Sequence, residues 1–182
     1  MNRNALLETA TLAGGCFWCI EAIFVEVEGV HSVLPGYTGG TTANPGYQEV
    51  CTGSTGHAEA VQIVYDPTRI SYRTILEIFF SVHDPTSPDR QGPDIGTQYR
   101  SVIFCHSDEQ KAIAEELIAE LNRARLWEKP IVTQIAPLDK FHPAEEHHLQ
   151  YFSRHPEQAY CQIVISPKVS KLRQQWAGQL KR

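Results

Sequence analysis

The chain has no apolar run approaching the ~18 residues that a membrane span needs. It has no internal repeat and no low-complexity tract. It also has no basic excess: 16 Lys and Arg stand against 21 Asp and Glu, a net charge of -5, so a basic face for nucleic acid is not expected. Met1 to Ala13 carries one basic residue and no long apolar stretch, so it does not read as a secretory signal. Zinc is poorly supplied. Cys16-x-x-Cys19 has ligand spacing, but no second such pair completes it, and a helix would turn the adjacent His147 and His148 apart. A reducing cytoplasm is therefore the default compartment, where cysteines are more often catalytic or metal-binding than structural bridges. The expectation is a cytoplasmic monomer with no metal, no membrane partner and no nucleic-acid partner.

Hydrophobic residues make up 42% of the chain and charged residues 20%, ordinary globular usage that supports a core without a metal or disulfide staple. The length of 182 residues fits a single domain, 1–182. Of five cysteines (Cys16, Cys19, Cys51, Cys105 and Cys161), the odd count leaves at least one unpaired within the chain.

Glu8 to Ala13 reads as a strand running into Gly14-Gly15. Cys16 to Val27 reads as a helix, with Ile20, Ile23, Phe24 and Val27 in one stripe and Gly29 as its stop. Val30 to Tyr37 and His57 to Tyr65 are expected strands, the second central, with a long loop between Gly36 and Gly56. Ser71 caps a helix over Tyr72 to Val82. A polar loop from His83 to Gln98 leads to a strand over Arg100 to Cys105, and Ser107 then caps a helix to about Arg125. Further expectations are a strand over Ile131 to Ala136, a helix over Pro143 to Phe152, a strand over Gln162 to Pro167, and a final helix. The order implies an α/β (α+β) fold, a mixed β-sheet with helices packed on it as a two-layer sandwich.

Cys16 is the first candidate for chemistry. It lies where a strand meets a helix, just after two glycines. The free N–H groups and dipole of a helix start favour an anion, and the thiolate is the reactive form of cysteine. If Phe17 and Trp18 flank the sulfur, they form a small apolar pocket for a methyl group. A buried inert cysteine, a zinc ligand and half of a thioredoxin-like dithiol are the alternatives. Against the last, two bulky aromatics separate Cys16 from Cys19.

Gly14-Gly15-Cys16-Phe17-Trp18 resembles the signature of the A-type peptide methionine sulfoxide reductases. The resemblance continues through Gly36-Tyr37-Thr38-Gly39-Gly40, Asn44-Pro45-Gly46-Tyr47, Thr55-Gly56-His57-Ala58-Glu59, Asp84-Pro85-Thr86, Gln91-Gly92-Pro93-Asp94, Gly96-Thr97-Gln98-Tyr99-Arg100-Ser101 and Ala144-Glu145-Glu146. Together these cover about residues 10 to 161, in order. The resemblance implies a ferredoxin-like core with long active-site loops. It implies reduction of methionine-S-sulfoxide, free or in oxidised proteins, one epimer-specific repair of oxidised methionine. In that scheme Cys16 attacks the sulfoxide sulfur and Glu59 donates a proton to the oxygen. Tyr47 and Tyr99 hydrogen-bond the oxygen, Asp94 helps to hold the pocket, and Phe17 and Trp18 bind the methyl group. Burial in an apolar strand would keep Glu59 protonated, as a general acid requires.

The family's resolving cysteine lies in Gly-Tyr-Cys, which corresponds here to Ala159-Tyr160-Cys161. Cys161 is thus the first choice to condense with the Cys16 sulfenic acid, with Cys51 and Cys19 as alternatives. Ala159 replaces a hinge glycine, and Gln162 to Pro167 replaces a glycine-rich coil. Cys19 stands where the commonest pattern has glycine, and Cys105, at a strand end, reads as inert. No bound cofactor is implied, and thioredoxin is the implied external reductant.

Overall fold

The computed structural model describes residues 6–182. Met1–Ala5 lie outside the described residues, and with them the head of the segment read above as lacking a secretory signal. Strand β1 (Glu8–Ala13) leads through Gly14 and Gly15 into helix α1 (Phe17–Phe24). Strand β2 (Val30–Thr38) and a loop carrying the short helix α2 (Tyr47–Cys51) precede strand β3 (Ala58–Tyr65). Helix α3 (Tyr72–Val82) follows, its first turn closed by Ser71, whose side chain accepts a hydrogen bond from the Thr74 amide as the sequence predicts. A two-strand hairpin, β4 (Arg90–Gln91) and β5 (Asp94–Ile95), orders the polar loop before β6 (Val102–Cys105). Helix α4 (Asp108–Ala124), capped by Ser107, leads to β7 (Gln134–Pro137) and β8 (His142–Pro143). Helices α5 (Tyr151–Arg154) and α6 (Ser166–Gln175) end the chain's regular structure.

The six-stranded sheet has the order β7-β6-β1-β3-β2-β8. Its centre, β6-β1-β3-β2, is antiparallel throughout, and with α1 and α3 it makes the β-α-β-β-α-β unit of ferredoxin-like folds. Strand β7 pairs in parallel with β6. Strand alternation divides the sheet's faces. Ala10, Leu12, Val61, Ile63, Tyr65 and Ile103 pack under α1 and α3, whereas Ala13, Ala58, Ala60, Val102 and Phe104 face the other way beneath Leu138 and Phe141. Glu59 falls on the helix face, in the register Tyr37↔Glu59. No helix among the described residues is long and apolar enough to cross a membrane.

Several expected elements differ. Helix α1 stops at Phe24 because the next residues are captured elsewhere. The Glu28 amide donates to the Gln179 carbonyl, the Lys181 amide to the Glu26 carbonyl, and Val27 bridges Leu180. The strand expected over Ile131 to Ala136 is shifted to Gln134–Pro137, the stretch that β6 can pair. Pro143 to Phe152 is not one helix. Pro143 joins the sheet, Glu146–His148 forms a single 3₁₀ turn, and Gln150 has a left-handed backbone (φ 52°). The Gln150 amide is drawn to the buried Glu21 carboxylate of α1 at 2.9 Å, which accounts for that break.

Gln162 to Pro167 is helical, not a strand. Cys161–Ile165 forms a π-helical turn that runs directly into α6. Cys161, Ile165, Val169 and Leu172 are all buried at four-, four- and three-residue spacing. That helical period outweighs the β-branched run Ile163-Val164-Ile165.

Candidate active site

The strand-to-helix turn is shaped by Gly15. Its φ of 95° favours glycine, and an added Cβ would meet the Gln91 side chain at 2.6 Å. Gln91 in turn holds both the amide and the carbonyl of Asp84, at 2.8 and 2.9 Å. The hairpin that carries Asp94 is thereby fixed against the glycine turn. Cys16 follows as the cap residue of α1 and is buried, with 7% of its surface exposed.

Glu59 reaches the same helix start from β3. Its Oε2 accepts the Phe17 amide hydrogen at 3.0 Å, and only 1% of the residue is exposed. Burial pushes the carboxyl up to about 8, against the pull of the Phe17 hydrogen bond. It therefore holds its proton at neutral pH. The expectation of a resting thiolate at Cys16 is not met. Burial pushes that thiol well above its ordinary value, with the Cys19 hydrogen bond and the nearby Glu59 adding to the shift, while the Tyr160 hydroxyl opposes it. A single helix start does not offset the removal of the sulfur from water.

Tyr160 organises this corner. Its hydroxyl donates to Asp94 Oδ2 at 2.6 Å and lies 3.7 Å from Cys19 Sγ. Cys19 is drawn down to about 7, chiefly by its hydrogen bond with Cys16 and then, against burial, by the Lys168 charge.

The aromatic wall differs in detail from the expectation. Phe17 is fully buried, its ring 5.6 Å from Tyr37 and 6.4 Å from Tyr47 between centroids, so it forms the floor and not an open lining. Trp18 is partly exposed and stacks on Tyr151 at 3.7 Å with planes 5° apart. Its indole N–H donates to His148 Nδ1 at 3.1 Å. Tyr47 on α2 and Tyr99 at the end of the 3₁₀ turn Thr97–Tyr99 are half-buried. Burial, and then the Glu59 charge, push both phenols above their ordinary value, which keeps them neutral donors.

Of the remaining cysteines, Cys51 is exposed at the end of α2, one turn from Tyr47. Cys161 is buried in the π-helical turn, and Cys105 is buried at the end of β6, away from this site. The sequence reading missed Tyr160, His148, Glu145, Tyr37 and Tyr151. Tyr37 donates to Glu145 Oε1 at 3.2 Å, and Glu145 Oε2 accepts the Tyr47 amide at 3.3 Å. The signal was present: Tyr160 precedes Cys161, and Glu145 lies in a motif already singled out. Glu145, His147 and His148 bring ligand atoms within 4.8 Å of one another. Trp18, however, donates to His148 Nδ1, so the neutral ring carries its proton on Nε2 and has no lone pair there for a metal.

A family model described as peptide methionine sulfoxide reductase matches residues 8–180. The peptide methionine sulfoxide reductase MsrA of Granulibacter bethesdensis is 54% identical over 175 residues, 96% of this chain and 95% of that protein. The reduced form of Mxr1 from Saccharomyces cerevisiae superimposes with a TM-score of 0.74 at 35% identity, covering 88% of this chain and 92% of that one. Mxr1 in complex with Trx2 gives a TM-score of 0.50 at 26% identity, covering 83% and 88%.

Proposed function

This chain belongs to the peptide methionine sulfoxide reductase family, a family of oxidoreductases, and from that premise we propose that it reduces methionine-S-sulfoxide, free and in proteins, with Cys16 as nucleophile and Glu59 as acid. The observation that carries the reading is the pairing at the start of α1, where a protonated carboxyl is tethered to the amide immediately after the cysteine.

The Cys16 sulfur attacks the sulfoxide sulfur while Glu59 gives its proton to the oxygen. The neutral phenols of Tyr47 and Tyr99 donate hydrogen bonds to the same oxygen as charge develops on it. Asp94 acts through Tyr160, whose hydroxyl it holds beside the sulfurs. The partly exposed face of Trp18 takes the methyl group over the Phe17 floor. Methionine leaves, and Cys16 becomes a sulfenic acid. The proton that Cys16 gives up replenishes Glu59, so no proton is gained or lost in the step. A second cysteine then condenses with the sulfenic acid, and thioredoxin reduces the disulfide. The thioredoxin step draws support from the likeness to Mxr1 bound to Trx2.

The test uses purified protein with dithiothreitol and each sulfoxide epimer. The S epimer should be converted and the R epimer spared, and Cys16→Ser should be inactive. Turnover that survives Cys16→Ser, or equal use of both epimers, would remove the reading. In single turnover Glu59→Gln should slow methionine release at neutral pH, because an amide cannot supply that proton.

A further inference from the structure

We propose that a cleft on the sheet face turned away from α1 is a second binding site, one that takes a small organic acid: a carboxylate or phosphate head on an apolar body. Its lining comes from β6, β7, β8 and the loops that follow β2 and β7. It holds about 370 Å³, within the ~300–1,000 Å³ of small-molecule pockets. No residue given a part in the reduction lines it, so the proposal is independent of that reading.

Unpaired positive charge carries it. The Arg100 guanidinium is half-buried, and among the described residues it meets no carboxylate at ion-pair distance. A guanidinium has five N–H donors. Arg100 spends one on the Thr97 carbonyl and one on the Gly56 carbonyl, both at 2.9 Å, and the rest stay free. Burial draws its pKa down, against the pull of the Asp89 charge. A partly desolvated cation without a partner is costly, and a bound anion removes that cost. Lys140 adds a second cation at the rim, and Asp139 is the one carboxylate of the lining. His142 also faces the cleft. It is 8% exposed, and neither ring nitrogen has a hydrogen-bond partner among the described residues. Burial, and then the charges of His57 and Lys140, keep its ring neutral, with one N–H to offer an acid.

The shape of the cleft matches that charge. Gly39 has a φ of 89°, and a Cβ there would stand 2.8 Å from the Phe104 ring and 3.1 Å from an Arg100 nitrogen. Glycine thus keeps open the space between the guanidinium and the aromatic floor. Val102 and Ala136 extend that floor beside Phe104. The backbone of the walls is already paired. The Gly40 amide donates to His57 Nδ1 at 2.9 Å, and His57 Nε2 donates to the Thr42 carbonyl at 2.7 Å. The Thr41 amide donates to the Thr55 carbonyl, and the Lys140 carbonyl accepts the Thr38 hydroxyl. A peptide strand would find few partners on such walls. An anionic head on Arg100, Lys140 and His142, with an apolar body on the floor, satisfies what is left.

The same lining turns away other occupants. Arg100 and Lys140 repel a metal cation, and both His57 nitrogens are taken. The cleft also lies directly behind the candidate site. Arg100 follows Tyr99, and His57 stands two residues before Glu59. The two carbonyl contacts of the guanidinium tie the Thr97–Tyr99 turn to Gly56. An acid on Arg100 therefore rests on the brace between the segments that carry Tyr99 and Glu59, with the sheet between it and Cys16.

The experiment titrates benzoate and phenyl phosphate into the reduced full-length chain and follows the backbone amides by NMR. Benzamide serves as the uncharged counterpart of benzoate. Both acids should bind in the millimolar range and shift the amides of Gly39, Gly40, His57 and Phe104, leaving that of Phe17 in place. Benzamide should bind more weakly by ~10-fold or more, the worth of a charge-assisted contact. Added salt should weaken the acids and not benzamide. Arg100→Gln should cost the acids ~10-fold or more, and Lys140→Ala ~2–5-fold, as an exposed charge is worth less. Lys140 is exposed, so its arm stands even if Arg100→Gln fails to fold. Failure of both acids to bind, equal binding of benzamide, shifts centred on Phe17, or an affinity unchanged by either substitution would overturn the proposal.

Discussion

Replacing Glu59 with glutamine should make the protein more stable while slowing its reaction, and the gain should grow with pH. In the folded chain Glu59 keeps its proton to about pH 8, whereas the ordinary carboxyl value is 4.5. Between these two values the unfolded chain has lost the proton and the folded chain has not. Each pH unit in that window therefore favours unfolding by ~1.4 kcal/mol. The penalty is absent below about pH 4.5, reaches ~3 kcal/mol at pH 7, and levels off near ~5 kcal/mol above pH 8. The amide introduced by Glu59→Gln does not ionise, and its carbonyl oxygen still accepts the Phe17 amide hydrogen. The extra N–H of that side chain, if unpartnered, offsets the gain by ~1–3 kcal/mol. The net gain at pH 8 is then ~2–4 kcal/mol. For a chain of this length each kcal/mol moves Tm by ~2–4 °C, so a rise of at least ~4 °C is expected at pH 8. Thermal unfolding of both proteins at pH 4, 6, 7 and 8 is the assay. Glu21, buried in α1 and pushed up to about 7, has the same sign of effect but is common to both chains and cancels in the difference. A gain equal at pH 4 and pH 8, or a loss at pH 8, would refute the reasoning.

Gly15→Ala should destabilise the chain by ~1–3 kcal/mol, because it forces alanine to φ 95° and drives Gln91 from the turn. Methionine release should fall with it, since the Asp94 hairpin is displaced, and Tm and single-turnover rate together check this. Tyr160→Phe removes the hydroxyl that draws both the Cys16 and the Cys19 thiols down. The pH profile of thiol alkylation should move upward, and an unchanged profile would remove Tyr160 from the site. Ser71→Ala should cost ~1 kcal/mol through loss of the cap on the Thr74 amide, lowering Tm by ~2–4 °C with the epimer assay unchanged.

Where local pattern and tertiary environment agree, the chain was legible from its residues. Glu8–Ala13, the Ser71 and Ser107 caps and the central strand ending at Tyr65 are all of this kind. Where distant partners decide, it was not. Nothing near Gln150 announces that a buried carboxylate on α1 will take its amide and break the helix there. The run Ile163-Val164-Ile165 looks like a strand until the spacing of Cys161, Ile165, Val169 and Leu172 is read across it. In the candidate site, Cys16 was conspicuous from its glycine turn and Glu59 from the resemblance. The network of Tyr37, Glu145, His148 and Tyr160 was not, because each contact in it joins residues distant in the chain. The rise of the Cys16 thiol also escaped the sequence, since a helix start can be recognised from residues but the depth of its burial cannot.

The stacking of Trp18 on Tyr151 has an optical consequence. The indole lies two residues from Cys16 and in face contact with a phenol, and Tyr160 meets it edge-on at 5.9 Å. Emission from a tryptophan so placed depends on the charge and oxidation state of the nearby sulfur and on the seating of both tyrosine-bearing segments. The protein thus carries its own fluorophore at the reacting centre. Set apart from the signals of Trp127 and Trp176 by single Phe replacements, it offers a label-free view of each redox step in real time.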